Sequence, residues 1–296
     1  MPTNFTIVNN LGALNALNRL QKAGAGMTKT LERLSSGLRI NSASDDASGL
    51  AIAEGLRADV AALNQAVRNA NDGISVVQVA DGALAEISNL LQRATALAEQ
   101  AASDTSGGDN LGAKTAINSE YQEILREVNR LSLTVDFNGT TLFGNTGATF
   151  DVQVGASATQ ANNQISITTM ALQATGSATG SLGLTGATGT SGISVTTVAL
   201  QTKAGAQTEL GLIRSAITTI ASTRGAIGAV RNRLENTISV VTVQAQNLTA
   251  AESQIRDADV ASEVVNLTKY QVLNQTGLSA LSQANQSAQS VLMLLR

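Results

Sequence analysis

The sequence predicts a mainly α protein: a long antiparallel helical bundle with paired terminal coiled-coil helices and a small β-hairpin region at the far end. Three observations predict it. Apolar residues recur at three-four spacing from Ala13 to Leu131 and again from about 206 to the C-terminus. The core material is Leu, Ile, Val and Ala, because aromatics make up only 2% of the 296 residues and there is no Trp. Between the two helical halves the period switches to alternation around an Asn138-Gly139 turn signal, then dissolves into Gly, Thr, Ser and Ala.

The first element carries the stripe Ala13, Leu17, Leu20, Gly24, Met27, Leu31, Leu34. SSGLRINSAS at 35–44 interrupts it, and a second helix starts near Asp45, where Asp45 and Asp46 read as caps for free N–H groups. That helix carries Leu56, Val60, Leu63, Val67, Ala70, Ile74, Val77 and, after a shift, Leu84, Ile87, Leu91, Ala94, Ala98. It reaches about Ala101, a rod of ~85 Å. Gly49, Gly55, Gly73 and Gly82 within it point to tight helix–helix approach. Asp109 or Asn110 would cap a third helix with Ile117, Tyr121, Ile124, Val128 and Leu131 on one face. VDFNGTTLF at 135–143 reads as a hairpin, and Phe150, Val152, Val154, Ile165 and Ile167 as short strands. The C-terminal half carries Ile213, Ile217, Ile220, Ile227, Leu234, Ile238, Val241, Ala245 and Leu248, then Val260, Val264, Leu267, Leu278, Leu281, Leu292 and Leu295. Asp257 and Asp259 read as caps of this last helix, and Arg224 and Arg231, on or beside the apolar stripe, as cations that snorkel or pair across the bundle, or else contact a neighbouring subunit. The predicted domains are terminal helices at 1–34 and 260–296, linkers at 35–44 and 250–259, a core at 45–170 and 206–249, and a variable region at 171–205.

Composition excludes several functions. With neither Cys nor His, thiol nucleophiles, thiolate metal sites and imidazole bases are absent, so an enzyme is the weakest reading and no cofactor is called for. A net charge of −3 with few aromatics argues against nucleic acid as a partner. Residues 1–18 hold no Lys or Arg, unlike a secretory leader, and the uncharged stretches 152–202 and 270–295 are too polar to insert in a membrane. Export, if it occurs, therefore uses a signal that is not cleaved. The sequons at Asn138 and Asn247 read as chance, while Ser and Thr in 171–202 could accept O-linked sugars.

Charge is unevenly spread. Residues 51–151 sum to −7, whereas 203–235 hold five basic and two acidic groups. Ordinary solvated surfaces account for this, or else an acidic segment faces a basic one in this chain or a neighbour. The terminal helices pose a sharper problem, because their polar faces are Asn, Gln and Ser rather than charged residues. Such faces suit burial among other helices. One chain has too few helices to bury them on all sides, so many copies are expected to pack their ends together, with ends that are disordered alone and ordered in the assembly.

LERLSSGLRINSASDDASGLAIAEGLR at 31–57 and RNANDGISVVQVADGALAEISNLLQRATALAEQAAS at 68–103 resemble the N-terminal region of bacterial flagellins. DFNGTTLF is similar to the family's hairpin, and GAIGAVRNRLENTI, QIRDADVASEVVNLTK and QANQSAQSVLMLLR resemble its C-terminal region. The resemblance covers about 1–145 and 206–296 and implies a secreted subunit that self-assembles into the extracellular filament. Its inner tube would be formed by the stripe Leu17, Leu20, Met27, Leu31, Leu34, Val264, Leu267, Leu278, Leu281, Leu292 and Leu295. It implies type III export, a chaperone on the C-terminal helix at 260–296, and cap and hook–filament junction proteins as partners. It also implies a host Toll-like receptor contact at Arg93, Leu97 and Glu120, which as bare surface charges would amount to an ion pair worth under about 1 kcal/mol. Rival readings are a hook–filament junction protein, and a surface protein serving as a polysaccharide or adhesion receptor with a groove near 136–202.

Overall fold

The fold is taken from a computed structural model, which describes residues 10–103, 111–144, 147–156, 163–172 and 200–294. Among these, five helices are α1 (Leu11–Ser36), α2 (Ala47–Ala102), α3 (Leu111–Thr134), α4 (Lys203–Arg256) and α5 (Val260–Leu294). Four short strands lie between α3 and α4: β1 (Asp136–Phe137), β2 (Thr140–Thr141), β3 (Thr149–Gln153) and β4 (Gln164–Thr168). The chain forms two compact units, Met1–Val60 with Gln246–Arg296, and Ala61–Ala245.

The Ala61–Ala245 unit is built on a single unbroken heptad stripe of α2. Leu63, Ala66, Ala70, Gly73, Val77, Ala80, Leu84, Ile87, Leu91, Ala94, Ala98 and Ala101 are all buried. The shift that the larger side chains suggest after Val77 does not exist, because Ala80, fully buried, carries the stripe on to Leu84. Tyr121, Leu125 and Val128 of α3 face this stripe, and α4 answers with Ala206, Ile213, Ile220, Ile227 and Leu234 at seven-residue intervals. Burying a Leu or Ile in this way contributes roughly 1.5–3 kcal/mol each. α2 also contains an 18-residue window of mean hydropathy 1.2, enough by length and composition for a membrane span. The structure spends its large apolar residues on this core instead: Leu84, Ile87 and Leu91 are fully buried.

The β region packs onto the same core. Asn138 (φ 51°) and Gly139 (φ 78°) turn β1 back onto β2, the left-handed pair that a two-residue hairpin requires. β3 and β4 pair antiparallel with Val152 opposite Ile165 and Phe150 opposite Ile167, so that one face carries the apolar residues. This hairpin lies over Gly73, where a methyl group would come within 2.9 Å of Val152 Cγ2. Tight approach therefore explains Gly73, but around Gly55 and Gly82 the structure leaves open space. Leu172 and Leu200, which flank an undescribed stretch, are both fully buried; the Leu200 N–H donates to Asn118 Oδ1 at 3.1 Å. The sugar-acceptor region falls largely in 173–199 and the Asp109 or Asn110 cap in 104–110, both outside the described residues.

In the other unit α1 and α5 pair antiparallel. α1 ends on Gly37, whose positive φ of 73° lets its N–H reach Arg33 O at 2.8 Å. The chain then bridges to the α4–α5 junction: Arg39 N–H donates to Arg256 O, and Ala258 N–H to Gly37 O at 2.9 Å. α4 runs to Arg256, so most of the stretch predicted as linker, 250–259, is helix and only Asp257–Asp259 breaks it.

Candidate assembly surface on the terminal helices

The α1–α5 seam is a heptad on both sides. α1 contributes Ala16, Leu20, Ala23, Met27, Thr30 and Leu34; α5 contributes Glu263, Leu267, Tyr270, Asn274, Gly277 and Leu281. Small residues set the closest approaches, with Gly26 beneath Tyr270 and Gly277 against Leu20. Polar members are matched: Thr30 Oγ1 donates to Gly26 O at 2.9 Å, and Arg33 donates to Glu263 Oε1 at 3.3 Å. At the far end Asn10 accepts the Ala13 N–H and donates to Ala284 O, both at 3.0 Å.

This seam is not the stripe read from the sequence. The two share Leu20, Met27 and Leu34 on α1 and Leu267 and Leu281 on α5. The other flank faces out: Leu17 is 39% exposed, Leu31 44%, Val264 45% and Leu278 55%. Leu295 lies outside the described residues, as does the side chain of Leu292. Each helix thus has an apolar stripe wider than one partner covers. One edge closes the intramolecular pair, and the other is left in water, together with Leu14, Val265, Val272 and Leu273.

Asp45 organises the turn between α1 and α2. Its carboxylate receives Lys29 Nζ at 2.6 Å and the N–H groups of Asn41 and Ser42 at 3.2 Å, and its side chain is only 9% exposed. The Lys29 hydrogen bond is the main reason its pKa lies well below the usual carboxylate range; burial opposes this and the two amides add to it. Asp45 is therefore no helix cap. Asp46 occupies that position, accepting the Gly49 N–H at 2.9 Å. At α5, Asp259 accepts the N–H groups of Ala261 and Ser262, while Asp257 is taken by Ser253 and by backbone pairing with Leu38.

Arg93 reaches from α2 to α3, and its Nε and Nη2 donate to Glu120 Oε1 at 2.9 and 2.6 Å. Both side chains are about half exposed, whereas Leu97 is 2% exposed and belongs to the core. The three do not form one surface, because the 40° rotation between positions four apart carries Leu97 over the edge of the buried stripe. Arg224 crosses to Asp81 at 2.7 Å, which raises its already high pKa, while Arg231 pairs along its own helix with Glu235 at 2.9 Å. Of the alternatives for these two arginines, pairing across the bundle holds for Arg224 and not for Arg231. Sequence reasoning missed the Tyr121 hydroxyl, which donates to buried Glu209 Oε2 at 3.0 Å. A charged residue at a core position of α4 was the available signal.

A helix pair closed along one edge and apolar along the other is the surface expected of a structural subunit that packs against further helices. Family models agree on which. The bacterial flagellin N-terminal helical region matches residues 7–148 and the bacterial flagellin C-terminal helical region matches 210–295. Flagellin of Halalkalibacterium halodurans is 38% identical over 297 residues, covering 98% of this chain and 99% of that one. Flagellin of Bacillus subtilis is 38% identical over 304 residues with the same coverage. The flagellar filament 33 kDa core protein of Treponema phagedenis is 38% identical over 290 residues, again covering 98% and 99%. Among solved structures, Bacillus cereus flagellin aligns at TM-score 0.45 and 26% identity over 62% of this chain and 94% of that one. The chain belongs to the bacterial flagellin family.

Proposed function

We propose that this chain, a structural subunit of the bacterial flagellar filament, uses α1 and α5 twice. One edge of each helix closes the pair within the subunit, and the opposite edge packs against terminal helices of neighbouring copies. The observation that carries this is the exposed edge Leu17, Leu31, Val264 and Leu278, side by side with a seam already closed. Covering these half-exposed side chains contributes roughly 1 kcal/mol each. The uncharged Asn, Gln and Ser faces lose little on desolvation if they find amide partners. The Arg39, Arg256 and Ala258 backbone bridges hold the chain between the terminal pair and the long helices.

The finer parts of the reading are proposed from the likeness to the family. The subunit leaves the cell through the flagellar type III apparatus and adds to an extracellular filament. Cap and hook–filament junction proteins are its contacts at the filament ends, and a chaperone holds 260–296 before export. For a host Toll-like receptor, Arg93 and Glu120 are the accessible pair, with Leu97 supporting them from the core.

The test is a quadruple variant, Leu17→Ser, Leu31→Ser, Val264→Ser and Leu278→Ser, compared with wild type by sedimentation after seeding. The expected result is a soluble chain with wild-type helicity that forms no pellet. Pelleting at the wild-type concentration overturns the proposed use of this edge.

A further inference from the structure

Two exposed faces of the Ala61–Ala245 unit carry unmatched charge of opposite sign. On α2, Asp72, Val79 and Glu86 recur every seven residues and all face solvent, Val79 at 41% exposure. Among the described residues Asp72 has no hydrogen-bond or ion-pair partner, and Glu86 receives only Asn89 Nδ2 at 3.5 Å. On α4, Arg233 and Val240 stand seven apart on an exposed face with Val243, and Val240 is 66% exposed. Arg214, Arg224 and Arg231 are all matched within the chain, by Glu99, Asp81 and Glu235. The Arg233 guanidinium has no partner among the described residues.

We infer that α4 of one copy packs on α2 of a second copy, with Val240 against Val79 and Arg233 on Glu86. The inference rests on the filament reading and names a second contact for it, away from the terminal helices. Three points select a second copy as the occupant. The charges are complementary and come from one sequence, Glu86 on α2 and Arg233 on α4. The step from Arg233 to Val240 equals the step from Glu86 to Val79, about 10.5 Å in each helix, so both contacts form together. And two different patches that meet make a heterologous contact, the kind that repeats into an open helical array rather than closing a dimer.

The direction follows as well. Within one chain α2 and α4 run antiparallel, since Glu99 meets Arg214 and Asp81 meets Arg224. Copies stacked in a common direction keep that opposition, which brings Arg233 to Glu86 and not to Asp72.

The test compares seeded polymerisation of wild type, R233E, E86R/R233E and D72R/R233E, with monomer helicity and melting measured by circular dichroism. R233E sets two carboxylates face to face, and its critical concentration is expected to rise about tenfold or more at low salt with melting unchanged. E86R/R233E reverses the pair at every contact and should return to near the wild-type value. R233E polymerising like wild type overturns the contact. Rescue by D72R/R233E and not by E86R/R233E overturns the stated pairing. A wild-type chain that never polymerises overturns the filament reading and this contact with it, whereas wild-type filaments with an indifferent R233E sink the contact alone.

Discussion

Gly26 of α1 lies directly beneath the ring of Tyr270 of α5: a methyl group on the glycine would sit 2.6 Å from the ring's Cε1 and Cζ. The terminal helices pair at this distance only because that position has no side chain. Replacing Gly26 with Val adds bulk under the ring and should destabilise the pair by about 1–3 kcal/mol, although a glycine-free helix is intrinsically the better one. Tyr270 and Tyr121 are the only tyrosines and there is no Trp. Tyrosine emission from a Gly26→Val, Tyr121→Phe chain therefore reports Tyr270 alone and should shift toward the solvent-exposed value.

Core and surface positions of α2 should separate cleanly. Leu91→Ala opens a cavity at a fully buried site and is expected to cost about 2–5 kcal/mol. Val79→Ala, on the exposed face, should stay within about 0.5 kcal/mol. Chemical denaturation of the soluble chain measures both.

Tyr121→Phe removes the donor to Glu209 Oε2 and leaves a buried carboxylate short of one hydrogen bond, an expected loss of about 1–3 kcal/mol. Burial first, then the Glu209 charge and its hydrogen bond, push the phenol pKa well above its ordinary value. The protonated form is thus favoured by folding. Its contribution is complete below about pH 10 and is lost as pH rises further, while the unfolded tyrosine ionises. The wild type should lose stability on this alkaline side faster than Tyr121→Phe, which urea titrations at pH 8 and pH 11 can compare.

Asp45 gives the opposite dependence. Its carboxyl titrates below the usual range because Lys29 and two backbone amides favour the charged form. The contribution is complete above about pH 4 and is lost as pH falls from there toward the lower folded-state value. Asp45→Asn should melt earlier than wild type at pH 7, and the two curves should converge as the pH is lowered below 4.

The parts of this fold that were legible in the sequence are those carried by large apolar residues and by turn chemistry. Leu84, Ile87 and Leu91 announce the core face of α2, and Asn138-Gly139 announces a hairpin, because each signal is local. The choice of edge in the terminal pair was not legible. Leu17 and Leu31 look like better seam residues than Ala23 and Thr30, yet the seam uses the latter because Gly26 and Gly277 open space on that side. The strongest apolar signal thus marked the edge left exposed. Asp45 misled for a related reason: an acid before a helix can turn back to a lysine sixteen positions upstream instead of capping.

Negative-stain electron microscopy of the seeded full chain, beside a chain lacking 1–34 and 260–296, tests most directly whether assembly runs through the terminal helices. The account predicts long filaments from the full chain and none from the shortened one, which should still show a cooperative helical melt. Filaments from the shortened chain, or none from the full chain, would contradict it.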